Sequence, residues 1–318
     1  MLKRCKALLF AIILGLVCPS IIAGMVKRNI PDIIDINATT ETIYAKKSSL
    51  EISVLGTDGT VNNMELNAYL SGVVLREMPA EFEFEALKAQ AVVARTYALK
   101  RKESGGKHIE ATVCMNPDCC QGYYSYSAYL EDGGKQEHVD VVKKAVDSTD
   151  GLVLAYEGEL IDATYFSCSG GKTEDAKSVW GADIPYLRST ESPGEERAVH
   201  YIDTITFQTK TFLEKLGIDA KTITIGDISY TSGGGIETIT VCGERFEGTL
   251  FRKLLGLRST ALVISVIADT VTITTKGFGH RVGMSQYGAD AMAVNGADFT
   301  EILTHYYQGV NLVAYNDN

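Results

Sequence analysis

The chain has no internal repeat and, after its first few dozen residues, no low-complexity linker. Loosely tethered domains are thereby excluded, leaving one large domain or two tightly joined halves. It lacks surplus positive charge as well. The formal net charge is −10, which disfavours a nucleic-acid partner and nonspecific attraction to anionic envelope polymers. No His-Glu-x-x-His occurs, which argues against a catalytic zinc hydrolase. The glycine-rich Ser167–Thr173 has neither the spacing nor the strand-to-helix setting of a phosphate-binding loop. Strand and helix patterns also lack the regular alternation of a parallel doubly wound sheet, so the fold class read from the sequence is α+β, a helical core packed on mixed and antiparallel strands.

Long hydrophobic runs are confined to the N-terminus. Lys3, Arg4 and Lys6 precede the apolar Ala7–Ala23, and Lys27 and Arg28 follow it. Residues 1–24 read as a transmembrane anchor rather than a cleaved signal peptide, because Ile22-Ala23-Gly24 is a weak cleavage site. Val17 before Cys18 argues against a lipoprotein site. Residues 25–45 read as a linker and 46–318 as the folded domain, lying outside the cytoplasm.

The richest stretch is Leu66–Leu99. Leu66, Tyr69, Leu70, Val73 and Val74 form one helical stripe, and Pro79 stops that helix just after Glu77. A second helix follows, with Glu81, Glu83 and Glu85 near its start and Leu87, Ala91, Ala94 and Ala98 as a close-packing face. A glutamate beside apolar side chains holds its proton to higher pH and can act as a general acid. Spacing alone does not separate Glu77 from a solvated helix-end carboxylate. Further helices are predicted at Val139–Ser148, Thr209–Leu216, Thr249–Leu255, Ser285–Val294 and Phe299–Tyr307. Strands are predicted at Thr238–Cys242, Leu262–Ala268 and Val271–Thr275, with a hairpin of Leu152–Tyr156 and Leu160–Phe166.

Of seven cysteines, Cys5 and Cys18 fall in the membrane segment, leaving an odd number beyond it. His108, Cys114, Cys119 and Cys120 lie close together around Asn116-Pro117-Asp118, which turns the chain. Two readings stay open at this point. One is a zinc site with His108, Cys114 and Cys120 as ligands and Cys119, Cys168, water or a carboxylate as the fourth. The other is a disulfide of Cys114 with Cys119 or Cys120, or of Cys168 with Cys242. Adjacent Cys119 and Cys120 are not expected to bind one ion together without backbone strain. Ser169 and Lys172 offer groups for a polar ligand. His280, in Gly277–Gly288, either contacts substrate or packs, and the single tryptophan, Trp180, is expected in the core rather than on a sugar.

Arg76-Glu77-Met78-Pro79-Ala80, Ala89–Tyr97, Ser169–Glu174 with Val179-Trp180-Gly181 and Pro185-Tyr186-Leu187, Leu254–Thr260, Gly279–Ala289 and His305–Val310 together resemble the stage II sporulation protein D family, in the family's order, over about residues 50–312. The resemblance implies a membrane-anchored lytic transglycosylase that cleaves peptidoglycan glycan strands between N-acetylmuramic acid and N-acetylglucosamine during forespore engulfment. Glu77 is then its acid/base, and Arg95, Ser169, Lys172, His280 and Gln286 are candidate substrate-binding residues. It implies the mother-cell membrane, facing the septal wall, as location. Its implied partners are an amidase (stage II sporulation protein P) and a membrane protein (stage II sporulation protein M). The segment from His108 through Gln121-Gly122-Tyr123 resembles the clostridial branch, in which such residues hold zinc, here expected to be structural. Related domains act as amidase enhancers, so a non-catalytic glycan-binding scaffold is the alternative. Three positions depart from the family pattern. Ser167 and Cys168 stand where a histidine and a threonine are usual, and Arg281 stands where a glycine follows the histidine.

Overall fold

A computed structural model describes residues 50–316. The anchor and linker readings, 1–24 and 25–45, fall outside the described residues. Among the described residues no helix is long and apolar enough to cross a membrane.

Strands β1 (Glu51–Leu55) and β2 (Val61–Glu65) form an antiparallel ribbon. Glu65 caps helix α1 (Leu66–Glu77), its carboxylate accepting the Asn67 and Ala68 amides at 3.3 and 2.8 Å. The helix stops where Met78 turns extended (φ −130°, ψ 136°) before Pro79. Helix α2 (Phe84–Glu103) ends with Lys100, Arg101 and Lys102 near its C-terminus, favourable for the helix dipole. There follow β3 (Val113–Cys114), α3 (Tyr126–Glu131), α4 (Gln136–Ser148), β4 (Leu152–Tyr156), β5 (Glu159–Leu160), β6 (Tyr165–Phe166) and α5 (Ala176–Trp180). The chain continues through β7 (Ile202–Gln208), α6 (Thr209–Leu216), β8 (Ile225–Tyr230), β9 (Ile236–Val241), β10 (Glu244–Glu247), α7 (Gly248–Leu255), β11 (Leu262–Ile267) and β12 (Thr270–Lys276). It closes with β13 (Met284–Ser285), α8 (Gln286–Val294), α9 (Phe299–Tyr306) and β14 (Asn311–Ala314).

The mixed α+β class holds, with β1/β3 and β6/β13 parallel and the remaining pairs antiparallel. Two hydrophobic clusters form. In the first, α2 lies at the centre, against α1, α4, α8, α9 and β4. The one-stripe reading of α1 needs correction: Leu66, Tyr69 and Val73 are buried, but so are Asn67, Ser71, Gly72 and Leu75 on the other faces. The predicted small-residue face of α2 is fully buried at Leu87, Ala91, Ala94 and Ala98, which lets neighbouring backbones approach closely. Burial of each Leu or Val here contributes roughly 1.5–3 kcal/mol.

The second cluster gathers Phe207, Phe212, Phe246 and Phe251 between α6, α7 and the sheets β11-β12-β7 and β10-β9-β8. Arg281 ties the two regions. Its guanidinium, 2 % exposed, pairs with Glu174 at 3.1 Å and donates to the Gly233 carbonyl at 2.7 Å, while Glu174 accepts from Thr231 and the Gly235 amide. Its φ of +65° keeps the left-handed backbone that glycine adopts freely, so this departure preserves the turn and adds a buried latch.

The predicted hairpin is shorter than expected. Only Ala155–Leu160 and Tyr156–Glu159 pair, around Glu157 and Gly158 at positive φ. The chain then drops into the core at Ile161 and Ala163, and Tyr165–Phe166 pairs instead with Met284–Ser285.

Candidate active site

Glu77 is the last residue of α1, where the proline stop leaves its side chain at the edge of the core. Its Oε1 accepts the Gly122 amide at 2.5 Å. That contact depends on two glycines. A Cβ on Gly122 would stand 2.9 Å from Glu77 Oε1 and 2.6 Å from Arg76 Cγ; one on Gly72 would stand 2.2 Å from the Tyr123 ring. The segment 121–124 therefore lies flush on α1 as a strap. The Tyr124 amide donates to the Gly72 carbonyl at 2.9 Å, and Tyr123 stacks on Tyr69 at 5.9 Å between ring centroids. The second hydrogen-bonding neighbour of Glu77 is the Tyr165 hydroxyl.

Burial raises the Glu77 carboxyl above the ordinary carboxylate range, opposed by the Gly122 amide, the Arg76 charge and the Tyr165 hydroxyl. Burial, reinforced by the charge of Glu77, holds Tyr165 well above the usual phenol range, so it remains a donor. Gln121 links this pair to the core, donating to Tyr165 Oη at 3.3 Å and accepting from Tyr69 Oη at 3.4 Å.

A cleft of about 350 Å³ opens beside Glu77. Tyr97, Tyr165, Phe166 and Phe278 give it an aromatic lining, with Cys120, Gln121 and His280 also on its wall. Glu77 is the only carboxylate among the described residues that line it. A larger hollow of about 550 Å³ beside α6 holds no aromatic side chain, and its acids, Glu214, Asp219 and Asp269, are exposed.

His280 is the one substrate-binding candidate that reaches the cleft. Desolvation, aided by the charge of Arg252, pushes its pKa down to about 4, so the ring is neutral at physiological pH. Nδ1 accepts the Val282 amide at 3.1 Å, and the Tyr165 carbonyl accepts from the ring, which leaves the proton on Nε2.

The other substrate-binding candidates do not line this cleft. Arg95 is fully buried and closes the C-terminal end of α4, donating to the Thr149 and Val146 carbonyls at 2.8 and 3.0 Å. Desolvation lowers its pKa to about 10, and it stays charged. Ser169 is buried on Glu195, with its amide and hydroxyl donating at 2.7 and 2.8 Å. Gln286 is buried against Gln90, at 3.4 Å. Lys172 points to Glu191 at 3.3 Å rather than into the cleft.

Behind the strap, His108, Cys114, Cys119 and Cys120 place their ligand atoms within 4.8 Å of one another. Pairing of β3 with β1 fixes Cys114. His108 Nε2 lies 3.5 Å from Cys120 Sγ and 3.8 Å from Cys119 Sγ. The edges of a tetrahedron around a zinc ion with N and S ligands are roughly 3.5–3.8 Å, so the set fits a closed four-ligand metal site. Cys114, Cys119, Cys120, Cys168 and Cys242 are free thiols, which removes the disulfide alternatives. Cys119 is the fourth-ligand candidate that lies in this group. The expected backbone strain at adjacent Cys119 and Cys120 is absent: both side chains reach the group without a left-handed residue, because their amides turn together over the Asn116 carbonyl. Cys168 is buried elsewhere, its thiol 3.8 Å from the His200 carbonyl.

Reasoning from sequence missed Tyr165 and Tyr69, which carry no motif, and the amide of Gly122, whose Gln121-Gly122-Tyr123 setting was its one signal. Trp180 was expected in the core and is 46 % exposed.

These features define a class: an α+β protein whose aromatic cleft presents a single carboxyl raised by burial, braced by a strap rooted in a His/Cys cluster. The model of a family described as "Stage II sporulation protein" matches residues 56–156, the span that contains Glu77, the cluster and the strap. The chain is 39 % identical over 274 residues to stage II sporulation protein D of Bacillus amyloliquefaciens, covering 84 % of this chain and 80 % of that protein. It is 38 % identical over 275 residues to the protein of the same name from Bacillus subtilis, with the same coverage. An amidase enhancer of Bacillus subtilis is 29 % identical over 302 residues, covering 77 % of this chain and 40 % of that protein. The chain belongs to the stage II sporulation protein D family and is a sporulation protein of that family.

Proposed function

We propose that the protein is a lytic transglycosylase that cleaves the bond between N-acetylmuramic acid and N-acetylglucosamine in peptidoglycan glycan strands, with Glu77 as its single acid/base. The observation that carries this is one carboxyl, raised by burial, alone in an open aromatic cleft. Hydrolytic glycosidases place two carboxyls about 5–9.5 Å apart, either to attack the sugar or to activate water. A cleft with one acid suits a reaction in which the sugar supplies its own nucleophile.

In this scheme Gly122 engages Oε1 and leaves Oε2 to carry the proton. Glu77 gives that proton to the glycosidic oxygen, the bond to the muramic acid anomeric carbon breaks, and positive charge develops on the sugar ring. The new carboxylate is stabilised by the Gly122 amide and the Tyr165 hydroxyl. It then accepts the proton of the sugar's 6-hydroxyl as that oxygen closes a 1,6-anhydro ring, which restores the acid. His108, Cys114, Cys119 and Cys120 would hold zinc as a structural ion that fixes the root of the strap. Residues 1–24 would anchor the domain in the mother-cell membrane facing the septal wall, beside an amidase that strips stem peptides.

Mass spectrometry of stem-peptide-free glycan strands treated with the purified protein tests this. Anhydro-muramic ends are expected, lost by roughly 10³-fold in Glu77→Gln; reducing ends, or an active Glu77→Gln, would overturn it. Removal of metal with a chelator is expected to lower Tm by roughly 10 °C and to suppress cleavage, both restored by zinc. Full activity and an unchanged melt in metal-free protein would remove the ion from the scheme.

The likeness to an amidase enhancer supports a second reading, a glycan-binding scaffold that does not cut. Glycan binding without anhydro ends would select it.

A further inference from the structure

Trp180 is the only tryptophan in the chain, and it is on the surface. Tryptophan side chains are highly buried on average, and this one leaves close to half of its surface open. The mount beneath this one is firm. Helix α5 starts at the buried Ala176, whose amide donates to the Leu187 carbonyl at 3.0 Å, and ends at Gly181 in the left-handed conformation (φ +74°). Val179 and Ile184 on either side pack against the first cluster. Among the described residues, the indole N–H has no acceptor.

The indole leans on His280, with ring centroids 5.2 Å apart and planes at 53°. The same imidazole packs edge-on against Phe166 at 5.6 Å. His280 and Phe166 both line the Glu77 cleft, so Trp180 continues its aromatic wall beyond the histidine. Depression of the His280 pKa to about 4 keeps this extension uncharged above mildly acidic pH. The flanking Gly181, Ala182 and Asp183 are exposed and add no large apolar side chain. A lone aromatic without an apolar surround does not make a protein-docking patch. An uncharged aromatic face with a free N–H does match a pyranose ring, which offers C–H bonds on its face and acetamido or hydroxyl oxygens at its rim.

We propose that Trp180, seated on His280, is a sugar-binding subsite of the cleft that stacks on one ring of a β-1,4-linked N-acetylhexosamine chain lying across Glu77. This rests on the glycan reading of the cleft and adds a residue that positions the strand without taking part in proton transfer. The subsite acts on affinity and leaves the chemical step alone.

Because no other tryptophan is present, intrinsic fluorescence reads this position directly. Titrating Glu77→Gln protein with stem-peptide-free glycan strands is expected to give a saturable shift of the emission. In the otherwise unaltered protein, Trp180→Ala is expected to raise KM for cleavage roughly five- to tenfold with kcat within about twofold. Trp180→Phe is expected to recover most of the loss, with circular dichroism confirming the fold of both. Unchanged emission with strands that the unaltered protein cuts would overturn the subsite and leave Glu77's role standing. A saturable shift with strands that it does not cut would keep the subsite and overturn the cleavage reading. Neither shift nor cleavage would overturn both, and so would a Trp180→Ala loss confined to kcat for the subsite alone.

Discussion

Glu77 and Glu195 anchor two regions built from the same material, a carboxyl taken out of water, and they differ in how many donors meet it. Around Glu195, Oε2 accepts the Ser169 amide, the Ser169 hydroxyl and the Gly170 amide at 2.7–2.8 Å, and Oε1 accepts the Ser192 and Ser285 hydroxyls. That carboxylate is 1 % exposed and knots the 167–171 loop to the start of α8. Around Glu77, one amide and one phenol approach from the protein, and the remaining side is the cleft. A fully served carboxylate is a structural tie. An underserved one keeps its proton longer and can lend it.

Substitutions at the two carboxyls and their neighbours put this contrast to the test. The largest stability effect is expected for Glu195→Ala, which takes the shared acceptor from two amides and three hydroxyls and should cost roughly 3–5 kcal/mol in denaturant melts. Glu77→Gln should do the reverse. Burial raises the Glu77 pKa in the folded chain, so its contribution is fully present below the unfolded value of about 4.3 and fades as pH rises through the folded value. The variant's melting temperature should therefore gain on the unaltered protein as pH increases; a loss at neutral pH would place Glu77 in the same category as Glu195.

Gly122→Ala tests whether the strap sets the acid. Arg76 is exposed and can swing aside from the new methyl, whereas Glu77 Oε1 must move, so kcat should fall roughly 10- to 100-fold in protein with an unaltered fold. The smallest effect is expected from pH. His280 titrates near 4 in the folded chain and near 6.5 when unfolded, so stability is complete above about pH 6.5 and declines toward pH 4. A decline of roughly 2 kcal/mol, allowing for solvent contact, should flatten in His280→Gln when melts are followed from pH 7.5 to 4.

The sequence discloses the helix that carries Glu77 because a 3.6-residue period and a proline stop are local signals. It does not disclose what acts on Glu77. Gly122 lies 45 residues downstream, and Tyr165 sits in a two-residue strand that pairs with β13, far along the chain. Arg95 enters as a substrate-binding candidate through the family resemblance, and only the packing of α4 over α2 shows it as an internal clamp. Adjacent cysteines look too close to share an ion until the turn at Asn116 is drawn. Trp180 misleads in the opposite direction, since size and apolarity argue for the interior while its place beside His280 brings it to the surface. Apart from that local turn at Asn116, what the sequence left hidden in each case was a contact between distant segments.

Gly72 shows how far such a contact can reach. In the interior of a helix, glycine is a flaw by intrinsic preference, worth about 1 kcal/mol against alanine. Here the missing side chain is a berth for the Tyr123 ring and the Tyr124 carbonyl. Local helix preference and chemistry therefore point in opposite directions at this position. Repairing the helix would evict the strap and return Glu77 to the behaviour of any wet carboxylate, more than one turn away from the atom that was added.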